Sequence, residues 1–209
     1  MKVIGMFPTP LARIESAISS AMVATCVAAM RGSASLTNPR SQKLRHTEVV
    51  EPEDDTFFHQ VSEAVNPHLV NFGEVMFGER LSWRIKEMWC NVLESGGAQA
   101  MHTHANSFIS GVLYLTESDP SARTVFHKGF GGRDFIFSNE NKAAALGPFS
   151  GSKFVAPPCG PGDLLLFPSY VPHEVPPNKG GERMTIALNA IPDRLNTWGY
   201  QVGFSSSRA

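Results

Sequence analysis

The chain has 209 residues, 42% of them hydrophobic, and these values fit one domain with a sizeable core. Lys and Arg number 18 against 19 Asp and Glu, so a net charge of -1 offers no basic field for nucleic acid. We expect a protein without a membrane span or cleaved leader, and the three widely spaced cysteines predict a reducing, cytoplasmic setting.

The N-terminal third predicts two helices separated by a polar connector. Apolar residues at three- and four-residue steps, followed by a glycine, predict an amphipathic helix from Leu11 to Arg31. The turn-forming stretch Ser33 to Pro52 predicts an extended arm. Asp54 and Asp55 predict the cap of a second helix, which Pro67 is expected to interrupt.

From Trp83 onward, short β-branched and aromatic runs alternate with turn residues. The predicted strands are Ile85 to Leu93, Ala98 to His104, Ile109 to Leu115, Arg123 to Phe126, Asp163 to Phe167 and Met184 to Ala190. This pattern predicts a mainly β sandwich or barrel with flanking helices. The Gly- and Pro-rich stretch Lys128 to Pro161 predicts a long insertion of the kind that often covers an active site.

His102 and His104 lie two residues apart in a predicted strand, so both side chains project to the same face. Two imidazoles on one face suit iron, copper, nickel or zinc, although they could also be polar residues of a solvated sheet. His173, at the end of a buried strand, is the natural third ligand. Arg183 opens the next strand, where a guanidinium could bind a carboxylate through two parallel hydrogen bonds, or form a surface salt bridge.

At these residues the chain resembles the iron(II)/2-oxoglutarate-dependent oxygenases, and most closely an uncharacterised bacterial and phage group within them. The shared motifs are Phe7-Pro8-Thr9-Pro10, Trp89-Cys90-Asn91, His102-Thr103-His104, Ser110-Gly111-Val112-Leu113-Tyr114-Leu115, Gly162-Asp163-Leu164-Leu165-Leu166-Phe167-Pro168-Ser169, His173-Glu174-Val175 and Glu182-Arg183-Met184-Thr185-Ile186-Ala187-Leu188-Asn189. The resemblance implies a double-stranded β-helix, that is, a cupin-like jelly roll. It divides the chain into an N-terminal strand with supporting helices (1–80), the β-helix core (81–192) and a tail (193–209).

The resemblance also assigns roles to the site residues. It implies an Fe(II) centre held by His102, His104 and His173, with Arg183 anchoring the far carboxylate of 2-oxoglutarate. We expect Thr185, Tyr114, Asn91 and Ser110 to be further co-substrate contacts. The implied reaction uses O2 and couples decarboxylation of 2-oxoglutarate to oxidation, by default hydroxylation, of a small-molecule or peptidyl substrate whose identity the motifs do not specify.

The chain departs from the wider superfamily at His104, where Asp or Glu is usual. We expect His104 to bind the metal directly, which would leave the centre with one more positive charge and alter its redox potential and metal preference. In the alternative, His104 lies behind the ligands and another group completes the site.

Two other functions fit parts of the sequence. A cupin-type dioxygenase or isomerase shares the fold, and Gly96 and Gly162 stand at cupin-like distances before the histidines. Against it, Phe108 and Ile109 stand where a cupin glutamate is expected, and Arg183 has no role. The second alternative is a non-catalytic β-helix that binds a small carboxylate or a protein. The amphipathic helix or an exposed sheet edge also predicts a homodimer.

Overall fold

The computed structural model describes residues 1–39, 41–129 and 141–205. Its strands are β1 Ala12–Ile14, β2 Leu36–Thr37, β3 Gln42–His46, β4 Trp83–His102, β5 Ile109–Tyr114, β6 Val125–His127, β7 Lys153–Val155, β8 Leu164–Pro168, β9 His173–Val175, β10 Arg183–Pro192, β11 Arg194–Thr197 and β12 Tyr200–Gly203. Its α-helices are α1 Ser20–Met30 and α2 Thr56–Phe77. All six predicted strands are present, the first two fused into β4, and the predicted jelly-roll class is confirmed.

One antiparallel sheet carries the site, with the strand order β1-β8-β5-β10-β4-β9-β6-β7. Strand β4 joins its two halves, because its first part pairs with β10 and its last part with β9. The β2–β3 hairpin extends the sheet through β3 and β4, and β11 and β12 form a separate hairpin. The curled sheet therefore brings residues from β4, β9 and β10 to one interior.

The two faces of the sheet bury different residues. One face packs against α1 and α2 through the main hydrophobic core, to which Met88, Ile186 and Leu188 contribute. The other face encloses a smaller cluster that contains Tyr114 and Phe167. Because side chains alternate along a strand, the opposite face of β10 carries Arg183 and every second residue after it. We call the face with the smaller cluster the inner face.

The prediction of a single helix from Leu11 to Arg31 is wrong in its first half. Residues Ala12–Ile14 form β1, which pairs with β8, and α1 begins only after Ser19, whose side chain accepts a hydrogen bond from Met22 N at 3.2 Å. Apolar spacing did not reveal β1, since its partner strand lies about 150 residues away along the chain.

Helix α2 begins as predicted, with the Asp55 carboxylate accepting hydrogen bonds from Phe57 N and Phe58 N at 2.8 and 3.0 Å. It does not end at Pro67 but continues to Gly78, which closes it in the left-handed conformation with φ of 70°. The helix tolerates the proline because its apolar face stays buried against the sheet on both sides of that residue, and such packing outweighs local propensity.

The predicted connector Ser33 to Pro52 is more ordered than expected, because β2 and β3 form a hairpin there and β3 pairs with β4. In the predicted cover, Lys128 to Pro161, the described part contains β7, which pairs with β6, and residues 130–140 lie outside the described residues. All three cysteines are buried and free. No helix in the described part of the chain combines the length and the hydropathy needed to cross a membrane.

Candidate metal and co-substrate site

Three histidines meet at the junction of the two half-sheets. His102 ends β4 and pairs directly with His173 at the start of β9, and His104 follows two residues after His102. Their candidate ligand nitrogens all lie within 4.8 Å of one another. The three residues that the sequence predicted as a cluster therefore come together.

The orientations of the histidine rings suit metal coordination through their Nε2 atoms. The Nδ1 atoms of His102 and His173 lie 2.8 Å and 3.0 Å from the backbone oxygens of Ala100 and Val171. If each Nδ1–H donates to its carbonyl, each Nε2 keeps its lone pair. Nε2 of His104 lies 3.3 Å from Nε2 of His173, close to the ~3.0–3.4 Å expected of two nitrogens that each lie about 2.1 Å from one metal ion. The donor set and geometry therefore fit a divalent metal.

Burial keeps the imidazoles neutral. It lowers the pKa of His104 to about 4 and that of His173 to about 3, and the proximity of the other rings adds to both shifts. Burial also lowers the pKa of His102. Because a metal binds the neutral ring, the histidines are ready to ligate near neutral pH.

Arg183 supplies a buried cation on the inner face. The residue is 4% exposed, and its guanidinium carbon lies 5.1 Å from the centre of the Tyr114 ring. Its Nε is buried without a hydrogen-bond partner, and no carboxylate of the described residues forms an ion pair with it. A buried, unpaired guanidinium is costly, so this position fits an anionic ligand group.

The register of the sheet gathers most of the predicted co-substrate residues near Arg183. Thr185 of β10 pairs with Asn91 of β4 on one side and with Tyr114 of β5 on the other. All three side chains are buried, and the Tyr114 hydroxyl lies 3.3 Å from Thr124 Oγ1. Together they line the inner face next to the guanidinium.

Ser110 lies farther along β5 and belongs to a different group. Its hydroxyl donates to Asn189 Oδ1 at 2.8 Å and lies 2.8 Å from Ser169 Oγ. Ser169 O in turn accepts a hydrogen bond from His104 N at 3.1 Å. This buried network supports the backbone at His104, whereas the other three predicted contacts, Thr185, Tyr114 and Asn91, lie near Arg183.

Trp89, to which no role was assigned from the sequence, links the two parts of the site. Its ring centre lies 5.9 Å from that of His104, and its Nε1 donates to Asn91 Oδ1 at 3.2 Å. The alternation of side chains could have indicated this residue, since Trp89 and Asn91 lie two apart on one strand.

Known proteins match both the sequence and the fold. Residues 87–189 match the family described as "Putative 2OG-Fe(II) oxygenase", which confirms the resemblance inferred from the motifs. No curated protein matches the sequence.

Three solved structures of similar fold are each less than 20% identical to this chain. HygX from Streptomyces hygroscopicus, with nickel and 2-oxoglutarate bound, has a TM-score of 0.65 at 12% identity, over 88% of this chain and 83% of HygX. The α-ketoglutarate-dependent epimerase SnoN of nogalamycin biosynthesis gives 0.61 at 12%, over 89% and 80%. A prolyl-4-hydroxylase from Pseudomonas putida gives 0.58 at 18%, over 87% and 92%. These likenesses establish the fold.

Proposed function

We propose that this protein is an iron(II)- and 2-oxoglutarate-dependent hydroxylase, because residues 87–189 match the 2OG-Fe(II) oxygenase family and the site has the residues that such an enzyme needs. The observation that carries the proposal is the buried, unpaired Arg183 on the same inner face as the three-histidine cluster. The cupin alternative assigns no role to this cation, whereas the far carboxylate of a 2-oxoglutarate chelated at the metal would form an ion pair with it.

In this proposal His102, His104 and His173 hold Fe(II) through their Nε2 atoms. Bound iron and 2-oxoglutarate would supply an O2-derived oxidant, with succinate and CO2 as products of the co-substrate. The backbone carbonyls of Ala100 and Val171 hold two of the rings in the coordinating orientation. Direct ligation by His104 gives the centre three neutral ligands, one negative charge fewer than a site with a carboxylate.

Arg183 binds the far carboxylate of 2-oxoglutarate, and the residues around it fix its position. The Tyr114 ring lies against the guanidinium and orients it. Thr185 and Asn91, which pair across β10 and β4, place a hydroxyl and an amide beside it. Ser110, through Asn189 and Ser169, supports the segment that carries His104.

The inner face also excludes water around His173, which is 4% exposed. The ring of Phe167 lies 4.8 Å from that of His173, and the ring of Phe126 lies 6.0 Å from it. Both aromatic residues are buried. A dry environment strengthens the ion pair between Arg183 and a bound carboxylate and protects a reactive oxidant from side reactions.

We propose a small molecule or a peptidyl side chain as the substrate, with hydroxylation as the outcome. The epimerase SnoN has the same fold, so the products of a reaction with O2 have to be identified to assign the outcome. An oxygen atom from O2 in the product, detected by mass spectrometry with 18O2, would support hydroxylation over epimerisation.

An anaerobic titration tests the co-substrate. Apo protein is loaded with Fe(II) and then given 2-oxoglutarate, and we expect the weak visible charge-transfer band of a chelated 2-oxo acid. Arg183→Ala should lose the band at the same co-substrate concentration, and Arg183→Lys, which keeps the charge but not the two-pronged geometry, should weaken binding less. Iron binding without a band would favour the cupin alternative, and no iron binding would favour the non-catalytic module.

A further inference from the structure

Gln99 is brought to the metal cluster by an irregularity in β4. Gln99 pairs with Val175, and His102 pairs with His173, so three steps along β4 match two steps along β9. The extra residue is a β-bulge, and bulges next to active sites redirect side chains. Simple alternation would put Gln99 and His102 on opposite faces, whereas the bulge puts both on the face that meets His173.

The Gln99 amide lies at the lone pair that a metal would use. Its Nε2 is 3.4 Å from Nε2 of His102, and His102 Nδ1 lies 2.8 Å from the Ala100 carbonyl. With Nδ1 as the donor to that carbonyl, the outer ring nitrogen is an acceptor and the amide donates to it. Among the described residues the Gln99 side chain makes no other hydrogen bond.

Metal binding therefore takes away the one acceptor that the described residues offer to the Gln99 amide. A ring nitrogen has one lone pair, so it cannot bind a metal and accept a hydrogen bond together. The displaced amide stays beside the metal on a half-buried residue, where an unsatisfied donor is costly. A ligand that binds beside the metal could supply a new acceptor to this amide.

The course of β4 indicates which acceptor this is. The strand leads from His102 back past Gln99 to Leu93, and Leu93 pairs with Arg183. Gln99 thus lies between the metal ligands and the residue that holds the far end of the co-substrate. A 2-oxo acid that chelates the metal leaves one oxygen of its near carboxylate free to accept a hydrogen bond.

We propose that Gln99 is a co-substrate-binding residue, whose amide N–H donates to the metal-proximal carboxylate of 2-oxoglutarate. The proposal rests on the proposed function. Before the metal binds, the same amide occupies the lone pair of His102, so Gln99 exchanges one partner for the other as the site is loaded.

Anaerobic binding measurements on the full chain test this role. Fe(II) affinity is measured by competition with a chromogenic chelator, and 2-oxoglutarate affinity by the visible band of the iron-loaded protein. Gln99→Leu should leave the Fe(II) dissociation constant within about twofold, because the lost hydrogen bond competes with the metal. It should raise the 2-oxoglutarate dissociation constant roughly 10- to 100-fold, the effect of one hydrogen bond to a charged group.

Gln99→Glu separates this role from packing, since it keeps the size of the side chain. It should weaken 2-oxoglutarate binding more than Gln99→Leu does, because a carboxylate repels the bound carboxylate, while Fe(II) binds at least as tightly. The control is Gln60→Leu on the exposed surface of α2, which should match the wild type. If the Leu variant does not fold, the Glu variant decides the question.

The outcomes distinguish this proposal from the one on which it rests. A wild-type band together with unchanged 2-oxoglutarate affinity in both Gln99 variants would overturn the role of Gln99 and leave the proposed function standing. Equal losses of iron and co-substrate affinity would also overturn it, by making Gln99 a structural support of His102. No band in the wild type would overturn both proposals.

Discussion

At the scale of single residues, His104 determines the charge of the proposed metal centre. Its Nε2 lies 3.3 Å from that of His173, and both rings are kept neutral by burial. With a histidine in place of a carboxylate, the bound metal would carry one more unit of net positive charge. This charge should raise the reduction potential of the metal and strengthen its hold on an anionic chelator.

We predict that His104 is a direct ligand. Loss of a residue that contacts a metal ligand but not the metal weakens metal binding roughly 10- to 100-fold. His104→Ala should weaken Fe(II) binding by more than this, and His104→Asp should restore most of the affinity. The measurement is anaerobic competition with a chromogenic chelator. His59→Ala, on the exposed surface of α2, is the control and should bind iron normally. If His104→Ala lowered the Fe(II) affinity less than tenfold, His104 would not be a direct ligand of the metal.

The positions of some site residues could be predicted from the sequence, and those of others could not. The two-residue spacing of His102 and His104 predicted that both side chains project to the same face of the sheet, because side chains alternate between the two faces along a strand. Gln99 could not be predicted in this way, since the bulge that redirects it depends on pairing with β9, more than 70 residues later. The network of Ser110 with Asn189 and Ser169 was missed for the same reason, because its members come from separate strands.

At the scale of elements, β1 is held to the sheet by one buried carboxylate. Asp163, just before β8, accepts hydrogen bonds from Arg13 Nη2 at 3.0 Å, Ser16 N at 3.1 Å and Gly160 N at 3.1 Å. Burial acts to raise the pKa of Asp163, but these hydrogen bonds outweigh it, and the pKa lies below its ordinary value. The ionised form therefore stabilises the fold.

We predict that this stabilisation depends on pH. A carboxyl pKa that is lower in the folded state gives stability that is complete above the unfolded value of about 3.9 and lost as the pH falls through the folded value. Asp163→Asn should lower the free energy of unfolding by roughly 1.5–3 kcal/mol at pH 7. In urea titrations the difference from the wild type should shrink below about pH 4.

Glu15→Gln is the matched control for Asp163→Asn. Glu15 lies 3.1 Å from the same arginine, but its side chain is 74% exposed. An exposed pair contributes little, so we expect a change below about 1 kcal/mol at every pH. A loss in Asp163→Asn that stayed constant between pH 7 and pH 3 would rule out ionisation of Asp163 as its source.

Helix α2 packs tightly against the Trp83 side chain of β4 at Gly73. A Cβ added there would lie 2.2 Å from Trp83 Nε1 of β4, so no side chain fits without movement. Gly→Ala in a helix is normally stabilising by ~1 kcal/mol, and here we expect the opposite sign, a loss of about 1–3 kcal/mol from overpacking. Urea unfolding measures it. Gly203→Ala, where a Cβ meets nothing within 4 Å, should be near neutral; a stabilised Gly73→Ala would contradict the close packing.

The elements that the sequence misplaced share a physical cause. Residues Ala12–Ile14 lie within the predicted first helix, yet they pair with β8. Pro67 did not end α2, because the sheet buries the helix on both sides of that residue. Local patterns located all six predicted strands of the core, although the first two are continuous in β4. They failed where a partner distant in sequence decided the structure.

At the scale of the whole molecule, the proposed ligands connect the two halves of the sheet. His102 and His173 pair where β4 meets β9, whereas Arg183 lies where β4 meets β10. A metal alone would link the histidines only. A chelated 2-oxoglutarate that also reached Arg183 would link both half-sheets, so the two ligands should stabilise the fold cooperatively.

We predict this cooperativity in thermal unfolding with Ni(II) as a stand-in that does not react with O2. Ni(II) alone should raise the melting temperature, 2-oxoglutarate alone should have little effect, and the two together should exceed the sum. Each ligand at 100 times its dissociation constant contributes about 2.7 kcal/mol. In Arg183→Ala the Ni(II) increment should remain and the 2-oxoglutarate increment should largely disappear. An equal 2-oxoglutarate shift with and without metal would mean that the co-substrate binds away from the histidines.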